Sequence, residues 1–449
     1  MRALVSGLLL SVLAALPAAS QDFTTLKGHG GPIMGVQVDP VSGRVISASF
    51  DNSVGLWQGR DPRWLEAHDA AVNTVIFLSP ERAASGGDDF NVILWDLDAG
   101  TPSLLTGHQG KVAGLALSPD GALLASASWD GSIGLWPLVA PDGAPRLLQG
   151  HGSGVNAVAF ASDGARLFSA SADGTIRVWD VASGEDRVLV DQGFGVNRLV
   201  LGPDDAWLAY GAVDGVTRVI DPVSGAQLHD FSLGRRTILA MAHHAATDQL
   251  AVGDGHGYIM MIDTDAWRIT RDFRAMQRGP VWALDFSADG ASILAGGLDD
   301  VVYSWPVALL DEFDPAGGAQ RQSFLRDPET MPNGERQFMR KCSICHALTP
   351  PPSRKAGPTL YDLFGRKAGA IADYPYSDIL ATSDIIWSDD TIDALFDMGP
   401  DHYIPGSRMP MQVIRAETDR QDLIAFLRKA TAPGTDKDAA PEAAQDKEN

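Results

Sequence analysis

Short runs alternating large apolar with small or polar residues fill the chain between residues 23 and 305, as in Leu123-Leu124-Ala125-Ser126-Ala127-Ser128 and Ser132-Ile133-Gly134-Leu135-Trp136. Period-two alternation predicts β-strands with one face on a core, and the Asp-Gly between these two runs predicts a tight turn. The pattern recurs. One strand of each unit closes on a large apolar residue, in turn Trp57, Trp95, Trp136, Trp179, Ile220, Ile262 and Trp305, at spacings of 38 to 43 residues. Six residues before six of these closers stands an aspartate: Asp51, Asp89, Asp130, Asp173, Asp214 and Asp299. Gly-His or Ala-His pairs open the first four units at His29, His68, His108 and His151, and Trp-Asp occurs at Trp95-Asp96 and Trp179-Asp180. Seven repeats of this length predict a seven-bladed propeller of four-stranded sheets.

These features resemble the WD-repeat family over roughly residues 23 to 306. The resemblance implies a network inside each blade that links histidine, turn aspartate, a strand serine and tryptophan. In the third unit it would use His108, Asp130, Ser128 and Trp136. Units five to seven lack the Gly-His pair and His256 replaces the aspartate in unit six, so those blades read as degenerate. The segment from Phe23 to Lys27 reads as an outer strand that completes blade seven and leaves no open edge.

Beyond the propeller (residues 21–306) the periodicity stops. Residues 307–330 mix Pro, Gly, Gln and charges and read as a linker, 331–431 as a small helical domain, and 432–449 as a disordered acidic tail. Residues 1–20, with Met1-Arg2, an apolar run from Leu4 to Leu16 and small residues before Gln21, read as a secretory signal peptide. The expected location is therefore the periplasm, with no membrane span in the mature chain. A net charge of −22 argues against nucleic acid as a partner.

An exported chain of 449 residues could carry disulfides, yet it has two cysteines, both inside Cys342-Ser343-Ile344-Cys345-His346. That is the attachment sequence for a c-type haem. Two thiols on one turn can both add to the porphyrin vinyl groups, and the next residue supplies an imidazole to the iron. A chance match or a redox dithiol is the competing reading. For the opposite axial position the sequence offers Met409, in the Pro-Gly loop Tyr403-Ile404-Pro405-Gly406-Ser407-Arg408-Met409, with Met411 and Met398 as competitors.

Residues 332–430 resemble the class I cytochromes c of mitochondrial and alphaproteobacterial type. The matching residues are Gly334 and Phe338, Gly357-Pro358, Leu363-Phe364-Gly365-Arg366-Lys367, Tyr374-Pro375-Tyr376-Ser377, Ile386-Trp387 and the Pro-Gly-Ser-Arg-Met loop. The resemblance implies one covalent haem c on Cys342 and Cys345, with His346 and Met409 as iron ligands. It further implies that the Pro358 carbonyl orients the imidazole and that Arg366, Tyr376, Trp387 and Ser407 hold the propionates. Leu395 and Leu380 depart from the family, which usually has tyrosine and often asparagine there. Lys341, Lys355 and Arg408, with Arg340 and Arg354 beside them, match the rim through which family members dock redox partners.

The expected fold class is therefore an all-β seven-bladed WD-repeat propeller followed by a small all-α class I cytochrome c domain. The expected function is electron carriage, with the propeller as a docking platform and no catalytic residue. A second class of function stays open, an oxidoreductase whose propeller holds a substrate or second cofactor. His229, His243, His244, His256 and His402 are unassigned, and His243-His244 with Arg235-Arg236 could suggest a metal site, against a reading as exposed loop residues.

Overall fold

The computed structural model describes residues 23–139, 145–232, 237–276, 278–310, 331–352, 355–372, 374–409 and 412–433. The leader, most of the linker, most of the tail, Arg235-Arg236, Arg354 and Met411 lie outside the described residues.

The repeats form seven four-stranded antiparallel sheets arranged as a propeller. Six blades are built from consecutive strands. Blade seven combines Val281–Phe286, Ser292–Gly297 and Val301–Pro306 with β1 (Thr24–Lys27), paired in register from Thr24↔Ser304 to Lys27↔Val301. The first and last repeats thereby share a sheet, and the ring closes without a free edge. The seven closing residues are all buried. They sit between blades: Trp136 of blade three packs with Leu94 and Leu105 of blade two, and Trp179 of blade four with Leu135 and Leu148 of blade three. Apolar burial therefore fixes blade against blade, and the degenerate blades five and six keep the same four strands because Ile220 and Ile262 supply that burial.

In blades one to four each tryptophan indole donates to a serine hydroxyl. That serine bonds the histidine Nε2, and the histidine Nδ1 bonds the turn aspartate. In blade three the three distances are 2.8, 2.7 and 2.9 Å. The serine is Ser126 and not the expected Ser128. Both lie on one face of the strand, so alternation alone does not separate them. Ser126 pairs with Gly134, two residues before Trp136, which puts its hydroxyl within reach of the indole. Ser128 lies one pair nearer the turn, where its hydroxyl donates to Gly110 O and accepts from Asp130 N. Blades one, two and four use Ser47, Ser85 and Ser169 in the same way. Burial pushes the Asp173 carboxyl up. Hydrogen bonds from Thr175, His151 and Gly152 outweigh that and hold it down at about 2. Burial pushes the His108 and His151 imidazoles down, which favours the neutral form of these two.

One inter-blade bond carries a titratable group. Gln37 Oε1 in blade one accepts from Phe77 N of blade two at 2.5 Å. At the equivalent place in blade seven, Asp285 Oδ2 accepts from Val38 N of blade one at 2.7 Å. Burial pushes the Asp285 carboxyl up to about 7, against the pull of the Val38 and Phe286 amides.

A helical domain follows. α1 (Asn333–Lys341) crosses α5 (Glu417–Ala430), with α2 (Asp378–Ala381), α3 (Asp389–Met398) and α4 (Pro400–Tyr403) between them. The crossing depends on Gly334, where a Cβ would lie 2.0 Å from the Asp422 carbonyl. Phe338 lies against Phe426 beside it, with the rings tilted and their centres 5.4 Å apart. α3 starts at a capping box between Ser388 and Thr391 and presents Ile392, Leu395 and Phe396 to the domain core.

Replacing Ser126 by Ala leaves two buried nitrogens without partners, on His108 and Trp136, and should cost about 2–4 kcal/mol in urea unfolding. Ser128→Ala, which disturbs only the turn, should cost about 1 kcal/mol. For Asp285 the folded protein holds a proton that the unfolded chain releases from near pH 4 upward. Its contribution to stability is therefore full below that point and is lost as pH rises to about 7. The total is on the order of 4 kcal/mol. Asp285→Asn, which keeps the polarity of the neutral acid, should flatten this part of the stability profile and raise Tm at pH 8, measured by calorimetry.

Candidate haem site

Cys342 caps α1, and the chain then makes one tight turn: Cys345 N and His346 N both donate to Cys342 O, at 3.0 and 2.9 Å. That turn brings both thiols and the imidazole to a single cavity of about 520 Å³. Its walls are mostly apolar and include Leu360, Leu363, Leu380, Ile392, Leu395 and Phe396. Met409 lines it too, as do Arg366, Tyr376, Trp387, Ser407 and Pro358, so the residues assigned to the haem meet there, while Met398, Lys341 and Lys355 do not line it. Leu380 and Leu395, the two departures from the family pattern, add apolar wall.

His346 Nδ1 donates to the Pro358 carbonyl at 2.8 Å, which leaves Nε2 as the nitrogen with a free lone pair. Burial pushes the imidazole down, favouring the neutral form that can ligate a metal. Gly357 N donates to Cys345 O at 2.7 Å, and a Cβ at Gly357 would lie 2.4 Å from His346 Cε1. Arg366 does more than face the cavity. Its guanidinium donates to the carbonyls of Thr359 and Tyr361, fixing the loop that carries Pro358. Two short stretches around Arg366 and Trp387 are tied together, since Trp387 N donates to Arg366 O at 3.0 Å and Gly365 N to Trp387 O at 2.8 Å. The chain after Met409 is anchored by Arg420, which bonds Asp393 of α3 at 2.8 Å and the Ile414 carbonyl at 2.9 Å.

The cavity also holds polar atoms that the protein does not satisfy. The hydroxyls of Ser407 and Ser377 are buried and have no hydrogen-bond partner among the described residues. The motif Tyr374-Pro375-Tyr376-Ser377 does not by itself distinguish Ser377, because an unmet hydroxyl is a property of surroundings that a sequence cannot show. Tyr374 also lines the cavity, and its hydroxyl donates to the Ala356 carbonyl. Burial pushes the Cys342 thiol up to about 12 and raises that of Cys345, which makes both poor redox thiols. An apolar slot with two thiols, a neutral imidazole, a thioether and unmet hydroxyls fits an iron porphyrin with its carboxylates.

A family model described as "Cytochrome c" matches residues 332–431. Cytochrome c from Theileria parva is 42% identical over 99 residues, which is 22% of this chain and 84% of that protein. The chain belongs to the cytochrome c family. Cytochrome c from Arabidopsis thaliana is 40% identical over 98 residues, 22% of this chain and 87% of that protein. The family implies a covalently bound haem c, one for the one cytochrome c domain, and an electron carrier. A second family model, "WD domain, G-beta repeat", matches residues 20–58, 60–96, 101–137, 145–180 and 268–306. The seventh repeat thus carries a recognisable signature despite lacking the Gly-His pair. WD propellers suggest an interaction platform.

The unassigned histidines do not gather with the cytochrome c site. His243 and His244 lie on a strand, Ile238–His244, and not in a loop. His243 is edge-on to Trp207, His244 bonds Thr247, and His229 stacks on Trp267. At position 256 the histidine contributes its backbone amide to a turn closed by Asp254. Among the described residues no group of three or more His, Cys, Asp or Glu is placed to hold a metal ion.

Gly357→Ala should drive the His346 ring off its bond to Pro358. The expected result, in cells with haem-attachment machinery, is a large fall in haem absorbance per protein and a matching rise in titratable thiol.

Proposed function

We propose that this chain is an exported, periplasmic electron-transfer protein in which one haem c is held by the C-terminal domain and the propeller docks protein partners. The carrying observation is the convergence of Cys342, Cys345, His346 and Met409 on one apolar cavity that also holds unmet serine hydroxyls. Cys342 and Cys345 would anchor the vinyl groups as thioethers, and His346 through Nε2 and Met409 through sulfur would hold the iron. When bound, the haem supplies one-electron exchange at iron. Arg366, Tyr376, Trp387 and Ser407 would receive the propionates, with Ser377 as a further donor.

The chain's own residues set the conditions of that exchange. A thioether is a soft ligand that favours ferrous iron, and apolar walls disfavour the added charge of the ferric state. An imidazole and thioether pair would put the potential on the positive side, and Leu395 and Leu380, by removing polar groups from those walls, bear on its value. With His346 and Met409 both holding the iron, no position would be left for oxygen or peroxide, which supports the reading of the domain as a carrier. Export is supported by residues 1–20 and by the attachment motif, and is tested by fractionating cells that express the chain.

Met409→Ala should abolish the methionine-to-iron charge-transfer band and lower the potential, while leaving both thioether bonds intact by mass spectrometry. Retention of the band would move the ligand to Met411 or Met398. Cys342→Ala together with Cys345→Ala should give a colourless protein, and a coloured one would end this reading.

A further inference from the structure

The cavity of the cytochrome c domain is not lined by that domain alone. Phe50 and Asn52 of blade one and Asp69, Ala70, Asp88 and Asp89 of blade two lie at its mouth. Among the described residues an ion pair bridges the two parts: Arg408 Nη1 to Asp69 Oδ1 at 2.9 Å. Arg408 adjoins Met409 and belongs to the cationic rim through which redox partners are expected to dock.

The repeats supply an internal control for Asp69. In blades one to four the residue after the network histidine donates its backbone N–H to the turn aspartate: Gly30, Asp69, Gln109 and Gly152, at 2.7, 3.0, 2.8 and 2.9 Å. Only the amide is needed, so the blade makes no demand on this side chain. Likewise the residue before the turn aspartate is Phe50, Trp129 or Ala172 in blades one, three and four, and Asp88 in blade two. Blade two alone of these four carries both extra carboxylates, and blade two is where the haem mouth rests. Asp88 bonds Asn73 at 2.8 Å and lies near Lys111, while Asp89 is engaged by His68; Asp69 alone of the three reaches across.

We propose that blade two of the propeller is an intramolecular docking site for the haem edge, latched by Asp69 and Arg408, which competes with acidic redox partners for the same rim. This rests on the haem reading above. Both side chains of the pair stay about half exposed or more, 47% for Arg408 and 62% for Asp69. An exposed pair of this kind shifts an equilibrium by no more than about fivefold. The latch is therefore weak, screened by salt, and displaced by a partner that offers Arg408 several carboxylates at once. While closed, it also sets the carboxylates of Asp69, Asp88 and Asp89 beside the haem mouth, where they repel anionic reagents.

The test uses the full-length holoprotein, wild type against Asp69→Asn, with Asp98→Asn as an equally charged change at an exposed site away from the mouth. Two readouts are taken at low and high salt: hydrogen exchange in residues 67–71 and 405–409, and the bimolecular rate of oxidation of the ferrous protein by ferricyanide. Asp69→Asn should speed exchange in both segments, and raise the ferricyanide rate about twofold to tenfold at low salt. Asp98→Asn should leave both near wild type, and high salt should erase the difference. Equal exchange and equal rates in Asp69→Asn and Asp98→Asn would overturn the latch. A protein without a haem spectrum would instead overturn the haem reading, and the exchange data would still decide whether the two parts dock.

Discussion

The bond between His346 Nδ1 and the Pro358 carbonyl is the constraint on which the C-terminal domain is organised. It selects one tautomer, and so fixes which nitrogen can reach a metal. Keeping it requires a residue without Cβ at 357, because the ring lies against that backbone. It also requires a loop whose carbonyls are held in place, and Arg366 holds them through Thr359 and Tyr361. Arg366 is in turn tied by its backbone to Trp387, which leads through Ser388 into α3 and its cavity-facing leucine and phenylalanine. A single imidazole orientation thus reaches across most of the domain.

The propeller follows a different logic, in which burial does the general work and a polar relay sets the register. In blades one to four the closing tryptophan is packed between two blades and hydrogen-bonded within one, so the same side chain serves both purposes. Blades five and six keep the burial and lose the relay, and their sheets still form. The relay is therefore a refinement placed on a fold that apolar packing already dictates. The expense of burying a polar group is visible outside the relay at Asp285, whose carboxyl makes the inter-blade bond that the neutral Gln37 makes elsewhere and meets the full penalty of burial.

Most of this could be read from the chain because it is periodic or local. Seven closers at near-constant spacing imply seven blades, and a five-residue motif implies thioether chemistry, without any coordinates. What escaped reading follows from the limits of period two. Ser126 and Ser128 share a strand face, and only cross-strand register separates them. The strand position of His243 and His244 was masked because their blade lacks the usual landmarks. Asp285 reads as an ordinary polar strand residue until Val38, 247 positions away, is seen to lie against it. Ser377 is similar, since an unmet hydroxyl is a property of surroundings and not of a sequence.

The contact between Arg408 and Asp69, 339 residues apart, belongs to the same class and changes how the two parts should be regarded together. A carrier must expose its haem edge to exchange electrons, yet an exposed edge with cationic surroundings accepts any anionic partner. Fusing the carrier to an acidic propeller raises the local concentration of a competing carboxylate far above that of a free protein. A single weak pair can then discriminate, because a partner must present a better arrangement of charge than the one already in place. Strength in that pair would defeat the purpose, for a tight latch would silence the haem. The half-exposed geometry of Arg408 and Asp69 is what such a contact requires: strong enough to be occupied, and weak enough to yield.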